Sequence, residues 1–245
     1  MNDFVVVIPS RYASTRLPGK PLRDINGKPM IEWVYNAALK AEAAQVVVAT
    51  DDQRIADAVD GFGGVACLTD SKHQSGTDRI LEVAQKLGWG RDTLIVNLQG
   101  DEPLMPAENI LQVAQNLAAH DCMMATLHKL IDAEAARDPN LVKLVHDVNG
   151  YALYFSRAPI PYDRSGDGVD YCGHIGIYAY RAGFIETFNG LEPSPLEMAE
   201  SLEQLRALDN GFRIHSEIAR ADPGPGIDTG ADLERVRKIM AVKRA

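Results

Sequence analysis

The sequence predicts an α/β fold in which a mostly parallel, twisted sheet carries helices on both faces. Short apolar runs without polar alternation are typical of strands that are buried on both sides, and they occur at residues 4–8, 45–49, 65–68 and 93–98. Segments with apolar residues at helical spacing occur at residues 29–43, 76–87 and 107–119. Alternation of the two kinds of segment predicts parallel strands that are joined by helices.

The second half of the chain has a different pattern. Apolar runs at residues 142–145 and 151–155 flank Asn149-Gly150, which predicts a hairpin with a two-residue turn. Further strands are expected at residues 175–180 and 212–218, and helix starts at Ser194 and Thr229. We expect one domain over residues 1–245, with an antiparallel flap or dimerisation subregion at about residues 140–190.

Composition excludes several classes of protein. Hydrophobic residues make up 46% and charged residues 24%, which excludes predominant disorder. The net charge of −9 argues against a nucleic-acid partner or a polybasic membrane binder. Three widely spaced cysteines fit a reducing compartment. With neither a long apolar run nor a secretory signal, the chain is expected to be soluble and cytoplasmic.

A cluster of basic residues follows the first predicted strand. Within residues 9–28 the charged side chains are Arg11, Arg16, Lys20, Arg23, Asp24 and Lys28. The carboxyl end of a strand is where open α/β sheets bind ligands, and small residues beside Arg and Lys suit a triphosphate. Neither the P-loop pattern nor the dinucleotide fingerprint is present in this segment. A solvated basic loop is the alternative.

Two aspartates are candidate magnesium ligands. Asp101 follows the strand predicted at residues 93–98, and Asp228 precedes the last predicted helix. Magnesium is commonly bound by one or two carboxylates together with phosphate oxygens and water. For either aspartate alone, a turn or helix-capping role is the alternative, and their pairing depends on the fold.

Two further motifs have both a functional and a structural interpretation. In residues 73–79, Ser75 and Asp78 predict a capping box at a helix start, where exposed amides also suit a nucleotide. Cys172 and His174 are separated by one residue, but two residues without further ligands do not predict a metal site.

These segments together resemble the 3-deoxy-manno-octulosonate (Kdo) cytidylyltransferases, the CMP-Kdo synthetases. The resemblance begins with IPSRYASTRLPGKPL at residues 8–22 and VNLQGDEP at residues 96–103. Matching stretches continue in the order of the family at residues 48–51, 73–79, 151–157, 174–178, 194–197, 202–206 and 226–229. The resemblance implies a nucleotide-diphospho-sugar transferase-like fold and transfer of CMP from CTP to Kdo, with pyrophosphate as the other product. It also implies magnesium as cofactor, a homodimer and a role in lipopolysaccharide biosynthesis.

The resemblance also implies roles for individual residues. Arg11 and Lys20 would hold the triphosphate, with Arg16 as a further candidate, and Asp101 and Asp228 would hold magnesium. The residues expected around the cytidine are Ser75, Gly76 and Arg79. The residues expected around the sugar acid are Gln99, Arg157, His174, Tyr178, Glu203 and Gln204.

The sequence departs from the family pattern mainly on the sugar side. The loop at residues 163–173 is short, and Gly173 stands where the family commonly has Arg. A cytidylyltransferase that acts on 8-amino-Kdo or sialic acid is therefore the nearest alternative. A non-catalytic nucleotide-binding protein is the alternative from another class, but the candidate phosphate cations and metal ligands are all present.

Overall fold

A computed structural model describes residues 2–14, 16–73 and 75–242. Thr15 and Gln74, which belong to two of the matching stretches, lie outside the described residues. The strands are β1 (Asn2–Ser10), β2 (Asp24–Ile25), β3 (Lys28–Pro29), β4 (Ala43–Thr50), β5 (Ala66–Leu68), β6 (Leu94–Asn97), β7 (Met124–Ile131), β8 (Lys143–His146), β9 (Ala152–Ser156), β10 (Tyr171–Arg181) and β11 (Ile214–Ile218). The helices are α1 (Met30–Lys40), α2 (Gln53–Gly61), α3 (Gly76–Lys86), α4 (Ala107–Ala119), α5 (Ala182–Asn189), α6 (Pro195–Glu200), α7 (Gln204–Asp209) and α8 (Gly230–Val242).

The main sheet has the strand order β11-β7-β10-β6-β1-β4-β5. The pairs β1–β4, β1–β6, β4–β5 and β7–β11 are parallel. Strand β10 lies between β6 and β7 and is antiparallel to both, and the β8–β9 hairpin joins the sheet by pairing β8 with β10. The mostly parallel α/β sheet predicted from the sequence is confirmed.

Both faces of the sheet are covered, as the unbroken apolar runs predict. Val6 and Ile8 of β1 belong to one hydrophobic core, whereas Val5 and Val7 belong to the other. Helices α1, α2 and α4 contribute to the first core, and α3, α5, α7 and the hairpin contribute to the second. None of the helices in the described part of the chain has the length and apolar character that a membrane crossing requires.

The hairpin differs from the predicted two-residue turn. Strand pairing ends at His146 and Ala152, so residues 147–151 form the connection. The Asp147 carboxylate accepts hydrogen bonds from the backbone amides of Asn149 and Tyr151. This side-chain anchoring stabilises a wider turn in which Gly150, with φ of 81°, takes the left-handed conformation.

Helix α2 is an element that the sequence interpretation missed. It is short, and only Ile55, Ala56 and Val59 are buried. Its start does carry a recognisable signal, because the Asp52 side chain accepts a hydrogen bond from the Arg54 amide as an N-cap.

Candidate active site

The basic loop after β1 is folded back on itself. The Gly19 amide donates to the Tyr12 carbonyl oxygen over 3.1 Å, and Gly19 takes a φ of 66°. The Arg54 guanidinium lies 3.4 Å from the centroid of the Tyr12 ring, a cation–π contact. These contacts hold the loop at the carboxyl end of β1, where its cations face the loop that follows β6.

Lys20 lies between the two predicted metal ligands. Its Nζ is 2.7 Å from Asp101 Oδ2 and 3.1 Å from Asp228 Oδ1. The same nitrogen donates to the Ile227 carbonyl oxygen over 2.6 Å, and Arg16 pairs with Asp228 over 3.0 Å. The fold therefore brings together two carboxylates that are far apart in sequence, as the prediction required.

The segment that carries Asp228 is tied to the β6 loop through its backbone. The Ile227 amide donates to the Asp101 carbonyl oxygen over 3.0 Å. A Cβ at Gly226 would lie 2.7 Å from Glu102 Oε1, so the glycine allows close packing on that carboxyl group. Ile227 is also buried in a small core with residues of α1 and α8. Asp228 is thus positioned both by its packed neighbours and by its ion pairs with Lys20 and Arg16.

Glu102 is a site residue that the sequence interpretation missed. Its pKa is raised to about 8, first by burial and then by the negative charges of Asp101 and Asp228. Burial is thus the main cause of the raised pKa, and the two carboxylates add to it despite the neighbouring Lys20. The signal in the sequence was adjacency to Asp101, but burial of Glu102 depends on the distant segment that contains Gly226.

The donor set at this point fits magnesium. Asp101 and Asp228 offer hard carboxylate oxygens that already face one common cation, the Lys20 ammonium. The two carboxylates remain partly exposed, with side-chain exposures of 33% and 52%, so a nucleotide can approach them. These residues could hold the ion that the family resemblance implies.

These groups line an open pocket of about 400 Å³. Its lining includes Arg11, Arg16, Lys20, Gln99, Gly100, Asp101 and Asp228, together with the small residues Ser10, Ala13 and Ser14. Basic side chains lie among the two carboxylates, so the pocket offers groups for both the phosphates and the ion of a metal-bound triphosphate.

Arg11 connects this pocket to the start of α3. Its guanidinium donates to the His73 carbonyl oxygen over 2.5 Å, and burial lowers its pKa, with a further contribution from Arg79. Ser75 forms the predicted capping box with Asp78. The Ser75 carbonyl oxygen lies 3.4 Å from the Arg11 guanidinium, and Gly76 follows Ser75 in the chain.

Arg79 has a different environment. Its side chain is fully buried and pairs with Asp51 over 2.6 Å and with the Thr69 hydroxyl over 2.6 Å. It offers no exposed surface to a ligand in this state. Asp51, which the sequence interpretation did not assign, is the charge that compensates it.

On the predicted sugar side, an irregularity in β10 brings two ring side chains together. The pairing with β7 shifts between Ile175 and Tyr178. In a regular strand, residues four apart are separated by about 13 Å, whereas the His174 and Tyr178 rings have centroids 5.3 Å apart. The Thr126 hydroxyl contacts the carbonyl oxygens of Ile175 and Ile177 and the Nε2 of His174.

Other predicted sugar ligands lie around these rings. Glu203 accepts a hydrogen bond from the Thr77 hydroxyl over 3.0 Å, and burial raises the pKa of Glu203. Gln99 donates to Asn97, which is paired with Tyr178 across the β6–β10 ladder. Gln99, Asn97 and Tyr178 thus connect the pocket at the end of β1 with the predicted sugar side. Gln204, at the start of α7, is buried.

Arg157 follows β9 and holds neighbouring loops. Its guanidinium donates to the carbonyl oxygens of Pro139, Glu200 and Ser201. Its own carbonyl oxygen accepts from the fully buried ammonium of Lys143. These acceptors are neutral, so a carboxylate would bind the guanidinium more strongly than they do.

The fold is that of a nucleotidyltransferase. Solved structures with 16% sequence identity include a nucleotidyl transferase from Methanothermobacter with a TM-score of 0.63 and a cytidylyltransferase from Leptospira borgpetersenii with a TM-score of 0.64. They cover at least 98% of this chain and share its fold. The sequence profile described as cytidylyltransferase matches residues 5–216. The chain belongs to the cytidylyltransferase family and is an enzyme.

Similarity to particular cytidylyltransferases extends over nearly the whole chain. The 3-deoxy-manno-octulosonate cytidylyltransferase of Vibrio vulnificus is 56% identical, over 98% of this chain and 99% of the relative. That of Pseudomonas fluorescens is also 56% identical, over 98% of both chains. A solved CMP:2-keto-3-deoxy-manno-octonic acid synthetase in complex with CTP has a TM-score of 0.92 and 47% identity, again over 98% of both chains.

Gly100 provides a test of how finely the pocket is positioned. A Cβ at this position would lie 2.5 Å from Ser10 Oγ and 3.0 Å from the Pro9 carbonyl oxygen. Gly100→Ala is expected to displace the adjacent Asp101 and to lower kcat for cytidylyl transfer by about 10²-fold, the scale expected for a 1 Å misplacement. Steady-state kinetics would measure this. Gly90→Ala, where no atom lies within 4 Å, is the matched control. Unchanged kcat in Gly100→Ala would contradict the prediction.

Proposed function

We propose that this enzyme transfers CMP from CTP to the anomeric hydroxyl of Kdo and releases pyrophosphate, as a step in lipopolysaccharide biosynthesis. The observation that carries the proposal is the match, over 98% of both chains, to a synthetase of that product solved with CTP. The Lys20–Asp101–Asp228 arrangement supplies the chemistry that such a reaction needs. A magnesium cofactor, a homodimer and a cytoplasmic location are further parts of the proposal that rest on the family resemblance.

The reaction requires neutralisation of charge around the α-phosphorus. The sugar hydroxyl oxygen attacks the phosphorus, and the bond to the pyrophosphate leaving group breaks in line with it. Arg11 and Lys20 are placed to stabilise the negative charge that develops on pyrophosphate, because both line the pocket from the β1 loop. Arg16 lies at the outer edge of the same pocket and is well exposed.

Asp101 and Asp228 would hold magnesium in this scheme. The bound ion would lower the pKa of the attacking hydroxyl and reduce repulsion at the phosphate oxygens. The backbone hydrogen bond between Ile227 and Asp101 connects the loop after β6 to the loop before α8, so the relative position of the two carboxylates would help to set the direction of attack. Among the described residues, the lining of this pocket offers cations and carboxylates rather than a histidine or cysteine base.

The sugar acid would bind on the β10 side of the pocket. The bulge gathers His174 and Tyr178, Glu203 lies near them, and burial raises the pKa of Tyr178, so its hydroxyl remains a hydrogen-bond donor at neutral pH. Arg157 would exchange one of its carbonyl partners for the sugar carboxylate, since a charge-assisted bidentate pair is stronger.

Pyrophosphate release tests the proposed reaction directly. The purified enzyme, supplied with CTP and magnesium, is expected to release pyrophosphate when Kdo is present and not when it is omitted. Parallel reactions with 8-amino-Kdo and with sialic acid separate the related sugar acids. Turnover with either of these but not with Kdo would contradict the assigned substrate, and failure with all three would contradict the proposed reaction.

The paired carboxylates provide a second test. Asp101→Asn and Asp228→Asn keep the side-chain shape but remove the charge, and each is expected to lower kcat at saturating magnesium by 10²-fold, as an order of magnitude. Asp209→Asn, at an exposed position at the end of α7, is the matched control. Near-normal turnover in either pocket variant would remove that aspartate from the proposed metal site.

Arg157 tests the sugar side separately from the nucleotide side. Arg157→Lys keeps the charge but loses the planar fork, and we expect a tenfold or larger rise, as an order of magnitude, in KM for Kdo with KM for CTP little changed. Arg91→Lys, at an exposed position in the loop before β6, is the control. Equal rises in both KM values would indicate a general loosening of the loops that Arg157 holds, and an unchanged KM for Kdo would remove Arg157 from the site.

A further inference from the structure

Three side chains outside the nucleotide pocket come together where the hairpin joins the sheet. His128 lies on β7, His146 at the end of β8 and Cys172 on β10. One potential ligand atom from each lies within 4.8 Å of the others. The strand register explains part of this arrangement. His128 is paired with His174, two residues from Cys172, so His128 and Cys172 are diagonal neighbours on one face.

The two imidazole rings are oriented by hydrogen bonds through the same type of nitrogen. Nδ1 of His128 lies 2.9 Å from the Ser216 hydroxyl, and Nδ1 of His146 lies 2.8 Å from the Asp147 carbonyl oxygen. In metal sites, a hydrogen bond to one ring nitrogen fixes the orientation of the histidine and leaves the other nitrogen, here Nε2, as the ligand atom. The rings are stacked, with centroids 5.1 Å apart.

We infer that His128, His146 and Cys172 form a binding site for a zinc-class divalent cation, separate from the carboxylate pair in the nucleotide pocket. Two imidazoles and one thiolate are borderline-soft ligands that select zinc over magnesium. Metal–ligand distances of about 2.0–2.3 Å require the three donors to close in slightly. His146 is exposed at the end of its strand and can make that movement. Water would complete the coordination.

An ion at this site would connect the β8–β9 hairpin to β7 and β10. Such an ion would lie close to the proposed sugar side of the pocket, because His128 is paired with His174 across the β7–β10 ladder. The His174 Nε2 is itself engaged with the Thr126 hydroxyl. The site therefore uses Cys172 with two histidines from other strands rather than with its sequence neighbour His174.

Cobalt binding to the full-length, metal-stripped protein tests the inference. One Co²⁺ per chain is expected to give tetrahedral d–d absorption and a thiolate-to-cobalt charge-transfer band, which Zn²⁺ abolishes and excess Mg²⁺ does not. Cys172→Ser should remove the charge-transfer band. His146→Ala should weaken Zn²⁺ binding, measured against a chromophoric chelator, by at least about tenfold. Cys67→Ser, a half-buried cysteine on β5, is the control and should leave both properties unchanged.

Several results would overturn the inference. They are the absence of a charge-transfer band in the unmodified protein, its survival in Cys172→Ser, and its loss in Cys67→Ser. If Cys172→Ser fails to fold, His146→Ala decides the question, because His146 is exposed and its removal opens no cavity. Unchanged Zn²⁺ affinity in a folded His146→Ala protein would likewise rule out the site.

Discussion

The ammonium group of Lys20, held between the carboxylates of Asp101 and Asp228, is the interaction on which the arrangement of the active site depends. It joins three loops that lie near the beginning, the middle and the end of the sequence. Without a cation at this point the carboxylates of Asp101 and Asp228 would repel each other, and the pKa of Glu102, which is raised mainly by burial, is raised further by their charges. The basic loop after β1 and the acidic loops are thus mutually dependent parts of one site.

Two neighbouring strands of the sheet position the residues of the proposed nucleotide side and of the proposed sugar side. Strand β6 carries the acidic loop, and its neighbour β10 carries the bulge that brings His174 and Tyr178 together. Because β10 pairs with β8 as well as with β6 and β7, the hairpin is connected through β10 to the proposed sugar site. The zinc-class site, which spans β7, β8 and β10, occupies that same connection.

Local features were predicted well from the sequence because their causes are local. The buried strands follow from unbroken apolar runs, and the α3 start follows from the Ser75–Asp78 capping box. The wider hairpin turn was not predictable from Asn149-Gly150 alone, since the Asp147 side chain reorganises it. The meeting of Asp101 with Asp228 and the burial of Glu102 depend on tertiary packing, and so does the pairing of Arg79 with Asp51. Only the family resemblance indicated that the aspartates act together.

In the proposed complex, Asp101 and Asp228 bind one divalent ion, and the basic loop after β1 binds the triphosphate that also contacts this ion. A crystal structure of the enzyme with CTP and Mn²⁺, with the ion located by its anomalous scattering, tests this most directly. We expect one manganese ion that is bound by both Asp101 and Asp228 and by phosphate oxygens. Lys20 and Arg11 are expected to contact the triphosphate. Manganese bound by only one of these aspartates, or a triphosphate bound away from the β1 loop, would contradict it.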